Sequence, residues 1–403
     1  MATGGRRRVL VLNHFALPRS APGGTRHVEL FGRLEGWDAT VVASNKDLQR
    51  QHRVASEGIL VTVAVPRYTG NGLGRILNWA AYSAGALARG LLTRRPAVVY
   101  GSSPHLGAAL AGLLVARLRR ARFVIEIRDL WPQILVEAGT LRESSPVFRV
   151  LKALERRLYR SADAIVVLAE GSAGPITADG GRPDRIVFIP NGAQPEDFDV
   201  TDDRSDLRAA LGFEGFVVVY AGAHGPANGL GFVLDAAEEL RDVLPHVHFV
   251  LVGDGIEKAR LISDAARRGL VNLTFLDPIP KTEIPRLLAA ADAGLHCLAD
   301  VELFRSAVSP NKLYDYMAAA LPALTNTPGA VADMVRDAGA GVAVQPDRIA
   351  DAVRAVCNLT PAERAAMGRA GRAFVDRYRS RTAMAERLEA LLNDVAARRP
   401  LRR

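Results

Sequence analysis

Twice in its 403 residues the chain runs from a short, unbroken apolar segment into a glycine-rich turn and then into helical sequence. RRVLVLNHF leads into PRSAPGGTRH and VELFGRL; GFVVVYAGAHG leads into NGLGFVLDAAEEL. Strands written as continuous Val, Ile and Leu runs are buried on both faces, which requires a parallel sheet covered by helices. WDATVVAS, AVVYGSS, RFVIEIRD, AIVVLAE and RIVFIPNG continue the first half, and VHFVLVGDG, LTFLDPIP, AGLHCLA and PALTNTPG the second. The alternation predicts an α/β protein of two open parallel sheets. The length agrees, since it exceeds what one hydrophobic core organises. The polar, turn-rich stretch PNGAQPEDFDVTDDRSDLR divides the halves, giving expected domains at 1–198 and 199–403. The last forty residues are helical by period and are expected to pack back towards the first domain.

Ligands of open α/β sheets bind outside the carboxyl ends of the strands, so the active site is expected in a cleft between the two domains. Polar residues at strand ends are the candidates. His14 ends the first strand, His105 follows GSSP, Arg128 and Asp129 end RFVIEIRD, and Asn191 ends RIVFIPN. Asp129 also reads as a helix cap before LWPQIL, with Pro132 near the helix start. Gly23 and Gly24 in one half, and Gly222 and Gly225 in the other, let backbone approach a ligand closely ahead of a helix.

No HxxxH or CxxC pattern occurs, so no metal site is expected. The two cysteines, Cys297 and Cys357, suit a reducing compartment. No segment is apolar for long enough to cross a bilayer. The expected location is therefore cytoplasmic, with attachment to the inner face of the membrane suggested by charge. Residues 1–200 carry a net +10 and the remainder −1, and residues 58–125 contain nine Arg with no Asp or Glu. Such a surface suits an anionic membrane or a phosphorylated acceptor; without interleaved aromatics it does not suit nucleic acid. A helix over Ile76–Arg95 would offer Ile76, Trp79, Tyr82 and Leu87 as an interfacial face, with Arg89, Arg94 and Arg95 for headgroups.

In order and spacing, YAGAHGPANGLGFVLDAAEEL, FVLVGDGIEKARL, VNLTFLDPIPKTEIPRLLAAADAGLHCL and SPNKLYDYMAAALPALTNTPG resemble the donor domain of retaining GT-B glycosyltransferases of the group 1 (family 4) type. The PRSAPGGTRH loop, EIRDLWPQ and RIVFIPNGAQPEDF match the same family in the first half, and the fit is nearest to bacterial enzymes that add N-acetyl-fucosamine-like sugars to lipid-linked polysaccharide precursors. The resemblance implies two Rossmann-like domains and a nucleotide-sugar, UDP-linked, as co-substrate with no further cofactor. The acceptor it implies is lipid-linked or a small molecule. Carried over residue by residue, Gly23, Gly24, Gly222, Gly225, His224 and Asn228 would face the donor diphosphate, with Asn191 and Asn311 touching the donor. Lys312 would neutralise the leaving group and Asp315 would take the place of the family's ribose-binding Glu. Asp129 and His14 would lie beside the reacting sugar, with His105 and Arg128 on the acceptor side. The chain departs from the family at Ala307, where a carboxylate is usual, and at the second glycine turn, where an Arg and a Lys are usual. Those departures keep two other readings open: a nucleotide-sugar epimerase on the same fold, and a partner subunit that binds nucleotide-sugar without turnover.

Overall fold

The computed structural model describes residues 6–47, 51–68, 70, 72–137 and 139–401. They form two compact units. The first comprises the described residues up to Arg19, Gly24–Pro190 and Thr382 onward; the second comprises Ser20–Gly23 and Asn191–Arg381.

The first unit is built on a seven-stranded, wholly parallel sheet. Its strands are β1 (Arg7–Leu12), β2 (Trp37–Ser44), β3 (Leu60–Val63), β4 (Val98–Ser102), β5 (Arg122–Ile127), β6 (Ala164–Val167) and β7 (Ile186–Phe188), in the order β3-β2-β1-β4-β5-β6-β7. Val9 to Leu12, an unbroken apolar run, and Phe123 to Ile127, apolar except for Glu126, are fully buried. The strand order reverses between β1 and β4, and a parallel sheet opens a ligand crevice at the carboxyl ends of such a pair.

One face of the sheet is covered by three helices, Leu73–Leu92, Leu106–Leu118 and Pro146–Ser161, each packed on the next. The C-terminal helix, Arg381–Ala397, packs within this unit from Thr382 onward through Met384, Leu388, Leu391, Leu392 and Val395, at helical period. Its Glu389 carboxylate accepts from the backbone N–H groups of Glu35 and Gly36, both at 2.9 Å.

The second unit has a six-stranded parallel sheet of β8 (Phe216–Ala221), β9 (Val247–Val252), β10 (Leu273–Leu276), β11 (Ala293–His296), β12 (Ala323–Thr325) and β13 (Gly341–Ala343), ordered β10-β9-β8-β11-β12-β13. Here the order reverses between β8 and β11. Its two faces bury separate apolar clusters, one around Phe249, Leu234 and Val353, the other around Val217, Leu313 and Met317.

The division falls at Pro190/Asn191, between the first two residues of the polar stretch PNGAQPEDFDVTDDRSDLR and ahead of the expected boundary at 198/199. Two strands, β3 and β13, go beyond those read from the apolar runs. Both are edge strands of four and three residues, too short to carry a period.

The helix Leu73–Leu92 corrects the expected interfacial face. Tyr82 is wholly buried and donates to the Val42 carbonyl at 2.7 Å, Trp79 stacks on His105, and Leu87 is half-buried. Of the four residues expected to face outward only Ile76 is exposed.

Candidate functional site

In the second unit, polar groups gather where β8 and β11 part. The β8 strand ends at Ala221, and the chain turns through Gly222, His224 and Gly225 into a single 3-10 turn, Pro226–Asn228, before the helix Gly231–Leu240 begins. The segment after β11 returns as Ser309-Pro310 and the helix Asn311–Ala318. Lys312, in the first turn of that helix, lies across the glycine turn. Its ammonium donates to Tyr220 Oη at 3.2 Å and Asn228 Oδ1 at 3.3 Å, and sits 4.7 Å from the centre of the Tyr220 ring. Tyr220 Oη is itself 2.8 Å from Asn228 Oδ1. A side chain on Gly222 would strike Lys312, because a Cβ there would stand 2.6 Å from Cε.

Burial lowers the Lys312 pKa to about 8, against a smaller opposing effect from Cys297 and Asp315. The lysine is therefore a half-buried cation held by neutral acceptors, with no carboxylate in contact. Such a charge is under-neutralised and suits an incoming anion.

His224 is completely buried, and neither ring nitrogen has a hydrogen-bond partner. Its backbone is fixed instead, donating to the Asp254 carbonyl at 2.7 Å and accepting from Glu257 N–H at 3.0 Å. Burial, then Lys258 and Lys312 against an opposing effect from Asp254, push the imidazole pKa down to about 4. His224 is thus neutral at pH 7, not a second cation. Lys258 is turned away, donating to the carbonyls of Gly253 and Leu276 at 2.9 and 2.8 Å.

Asp315 and Lys312, one helical turn apart, do not pair. Asp315 is buried and forms its ion pair with Lys281, from the turn after β10, which sequence reasoning did not single out. Its Oδ1 is buried without a partner. Burial raises its pKa against the opposing Lys281 charge. Asn191 is a strut: its N–H donates to Ser309 Oγ at 3.1 Å and its Nδ2 to the Ser309 carbonyl at 2.7 Å, which fixes the loop ahead of Lys312. Asn311 is exposed beside it, and Gly225 lies next to Asn228.

In the first unit, His14, His105 and Asp129 follow the adjacent central strands β1, β4 and β5. Ala108 N–H donates to His105 Nδ1 at 3.3 Å, so the His105 proton is on Nε2 and is directed at His14 Nδ1, 2.8 Å away. His14 then carries its proton on Nε2, an atom that makes no well-formed hydrogen bond, Asn78 being the side chain that acts on it. Burial depresses both pKa values, to about 2 for His14 and about 3 for His105. His14 stacks between Phe15 and Tyr82, with centroids 4.2 Å away in each case. Arg128 is half-buried, and its backbone N–H donates to Ser103 Oγ at 3.4 Å. Asp129 is exposed and forms no side-chain hydrogen bond or ion pair among the described residues; only its carbonyl is engaged, by Trp131 N–H at 3.0 Å. The helix after it starts at Gln133 and does not use Asp129 as a side-chain cap. Gly23 adopts φ +132°, which favours glycine, but the helix that follows is only Arg26–Phe31.

Beneath these strand ends lies a charged network. The buried Glu126 carboxylate accepts from Arg26 Nε at 3.0 Å, His27 Nε2 at 2.8 Å, Tyr100 Oη at 2.8 Å and Ser102 Oγ at 3.0 Å. Burial alone would raise its pKa, but Arg26, His27 and Arg128 together hold it well below the usual carboxylate range. Arg26 also donates to the carbonyls of Pro190 and Ile189 at 2.6 and 2.7 Å. The network ties β1, β4, β5 and the end of the sheet together; Arg26 and His27 close the PRSAPGGTRH loop, but nothing in that loop pointed to Glu126.

Among the described residues no group of three or more His, Cys, Asp or Glu is placed to hold a metal ion. A groove of about 730 Å³ in the first unit runs along β7 and the C-terminal helix, lined by Val167, Ile186, Phe188 and Leu391, away from all of these groups.

The chain matches two family models, a glycosyl transferase 4-like domain over residues 32–192 and glycosyl transferases group 1 over residues 215–361. It is 28% identical over 254 residues to a protein named for colanic acid biosynthesis, the glycosyl transferase WcaI of Escherichia coli, covering 61% of each chain. The chain thus spans less than two thirds of that relative's length. It is 27% identical to the 2-deoxystreptamine glucosyltransferase of Streptomyces kanamyceticus over 67% of this chain and 70% of the other. The crystal structure of HepE of Anabaena in complex with UDP-glucose superposes with a TM-score of 0.71 at 19% identity, over 96% of this chain and 99% of that one.

Proposed function

The chain belongs to the group 1 and 4-like glycosyltransferases, with the two Rossmann-like domains of the GT-B fold, and from that premise we propose that it transfers a sugar from a UDP-sugar. The transfer retains anomeric configuration and needs no metal ion. The acceptor is a lipid-linked or small-molecule glycosyl acceptor.

The observation that carries the reading is the seat of Lys312. Its ammonium rests over a bare glycine turn, held by Tyr220 and Asn228 and by no carboxylate. A leaving nucleoside diphosphate needs a cation placed before the charge develops, because prepositioned charge is not spent on reorganisation. The reading of metal independence rests on the same lysine, a cation already seated where a leaving diphosphate would need one. UDP is favoured because a structural neighbour of the same fold was solved with UDP-glucose. WcaI's name points to a polysaccharide acceptor and the Streptomyces enzyme's name to a small one.

The test is a thermal-shift screen of UDP-, dTDP- and GDP-sugars on the full chain, followed by transfer assays in excess EDTA with the product anomer read by NMR. A ligand that binds the native state alone raises its melting temperature. UDP-sugars should stabilise selectively, turnover should survive EDTA, and the donor's anomeric configuration should persist in the product. Absence of a shift with every nucleotide-sugar, or full magnesium-reversible loss of turnover, overturns the reading.

A further inference from the structure

The helix Leu73–Leu92 presents to solvent a face that a soluble surface helix does not need. Leu73 is 78% exposed, Leu77 63% and Leu92 84%, with Ile76 beside them. Between the two leucine ends the same face carries exposed Ala80, Ala84 and Ala88 and no charged residue. The opposite face buries Asn78, Tyr82, Ala86 and Gly90 against the sheet and the next helix. Over 20 residues this is an apolar stripe about 30 Å long.

Charge gathers at one end of the stripe. Arg95 donates from Nε to the Arg119 carbonyl at 3.0 Å, and Arg119 donates back to the Thr93 carbonyl at 2.9 Å. These two bonds lock the C-terminal ends of the helices Leu73–Leu92 and Leu106–Leu118 together. Exposed Arg89, Arg94, Arg117 and Arg120 therefore share one edge, beside Leu92 and Leu118, the latter 65% exposed. No Asp or Glu lies anywhere in residues 58–125 to neutralise them.

We propose that this face, the stripe of Leu73–Leu92 with the arginine edge, is a docking surface for an anionic lipid bilayer. The helix lies in the headgroup plane, its leucines reach the acyl boundary, and the arginines meet lipid phosphates. The small-residue stripe alone would equally suit a second copy of the chain. The charges decide against that, because self-association through this face brings together two edges whose Arg89, Arg94, Arg117 and Arg120 form no ion pair among the described residues. No described helix is long and apolar enough to cross a membrane, so contact is by one face only. The inference does not depend on the transferase reading, since the surface shares no residue with the Lys312 or His14 groups.

Co-sedimentation of the full chain with vesicles of phosphatidylcholine, with and without phosphatidylglycerol, tests it at low salt. Partitioning should favour the anionic vesicles by at least ~20-fold and should fall away near 0.5 M salt, where screening is strong, about 3–5 Å in Debye length. Each Arg→Gln change should lower it about five-fold, so Arg89→Gln with Arg94→Gln gives about 25-fold. Leu73→Ser with Leu77→Ser should also weaken binding without changing the melting temperature. Equal partitioning to both vesicles, partitioning to neither, or full binding by the arginine double variant overturns the proposal. So does a concentration-dependent dimer, seen by ultracentrifugation, that the serine variant dissolves. Sugar transfer to a water-soluble acceptor should be unchanged in all variants. Vesicle binding without any nucleotide-sugar turnover would sink the transferase reading while leaving this surface intact.

Discussion

Gly222 lies directly beneath the stem of Lys312: a Cβ at position 222 would stand 2.6 Å from Cε and 3.1 Å from Nζ. Non-bonded carbon atoms do not approach that closely, so any residue larger than glycine must displace the lysine end from Tyr220 and Asn228. Gly222→Ala should therefore lower kcat at least ~10-fold, the cost of a misplaced charge. The melting temperature should change by no more than a few degrees, because only one lysine end must shift. Steady-state kinetics alongside calorimetry check this, and wild-type turnover in Gly222→Ala would remove the contact from the mechanism.

Removing the charge itself should cost more. Lys312→Ala is expected to lose at least ~100-fold in kcat, a few kcal/mol of leaving-group stabilisation. The pH profile of the wild type adds an independent readout. With its pKa lowered to about 8, Lys312 is charged below that pH and loses its proton above it. The profile of kcat/KM reports the free enzyme, so it should fall as pH rises through about 8, and the fall should be absent from the residual activity of Lys312→Ala. A flat profile between pH 7 and 9.5 would contradict the assignment.

Asp129 offers a contrast between chemistry and stability. Its carboxylate forms no hydrogen bond or ion pair among the described residues, and burial raises its pKa against the opposing Arg128 charge, so Asp129→Asn, which removes no bonded partner, should leave unfolding by urea within about 0.5 kcal/mol of wild type. If it steadies positive charge on the reacting sugar, kcat should drop at least ~100-fold in the same variant. An unaltered kcat would reduce Asp129 to a surface residue.

Much of the fold was legible because its central strands are buried on both faces and therefore read as apolar runs. β1, β4 and β8 announce themselves this way, and β5 and β9 do so around one polar residue each, Glu126 and His248. β3 and β13 do not, because an edge strand of three or four residues leaves no pattern. At the site, SPNKLYDY pointed to Lys312, but nothing local revealed that Tyr220 and Asn228 hold it, or that Asp315 turns to Lys281 instead. The Glu126 network stayed hidden for the same reason, its partners Arg26 and His27 lying 100 and 99 residues away. Aromatic residues misled on the helix Leu73–Leu92: Trp79 and Tyr82 suggested an interface, whereas ring stacking with the strand-end histidines draws them inward.

Glu126 should be a stability residue. It is buried, its charge is compensated by Arg26, and three further donors converge on it. Glu126→Gln keeps the shape but strands the buried guanidinium of Arg26, and breaking one member of such a pair costs about 3–5 kcal/mol. Urea unfolding should show that loss in the transition of the first unit. A change under ~1 kcal/mol would mean that Arg26 is satisfied by the Pro190 and Ile189 carbonyls alone.

The buried histidines set the acid limit of the same unit. His14 and His105 are neutral when folded, with pKa values of about 2 and 3, whereas an unfolded histidine titrates near 6.5. As pH falls below 6.5 the unfolded chain takes up protons that the folded chain refuses, so stability declines with falling pH; above 6.5 neither state binds them and the effect vanishes. The two together should remove about 3 kcal/mol between pH 6.5 and 5. Urea midpoints measured across that range should shift accordingly, and the slope should flatten in His14→Gln with His105→Gln, which lacks both titrating rings. That variant will be less stable at pH 7, since the stacking on Tyr82 and Trp79 is lost, so the comparison rests on the slope and not on the absolute value. An unchanged slope would place the acid sensitivity in other groups.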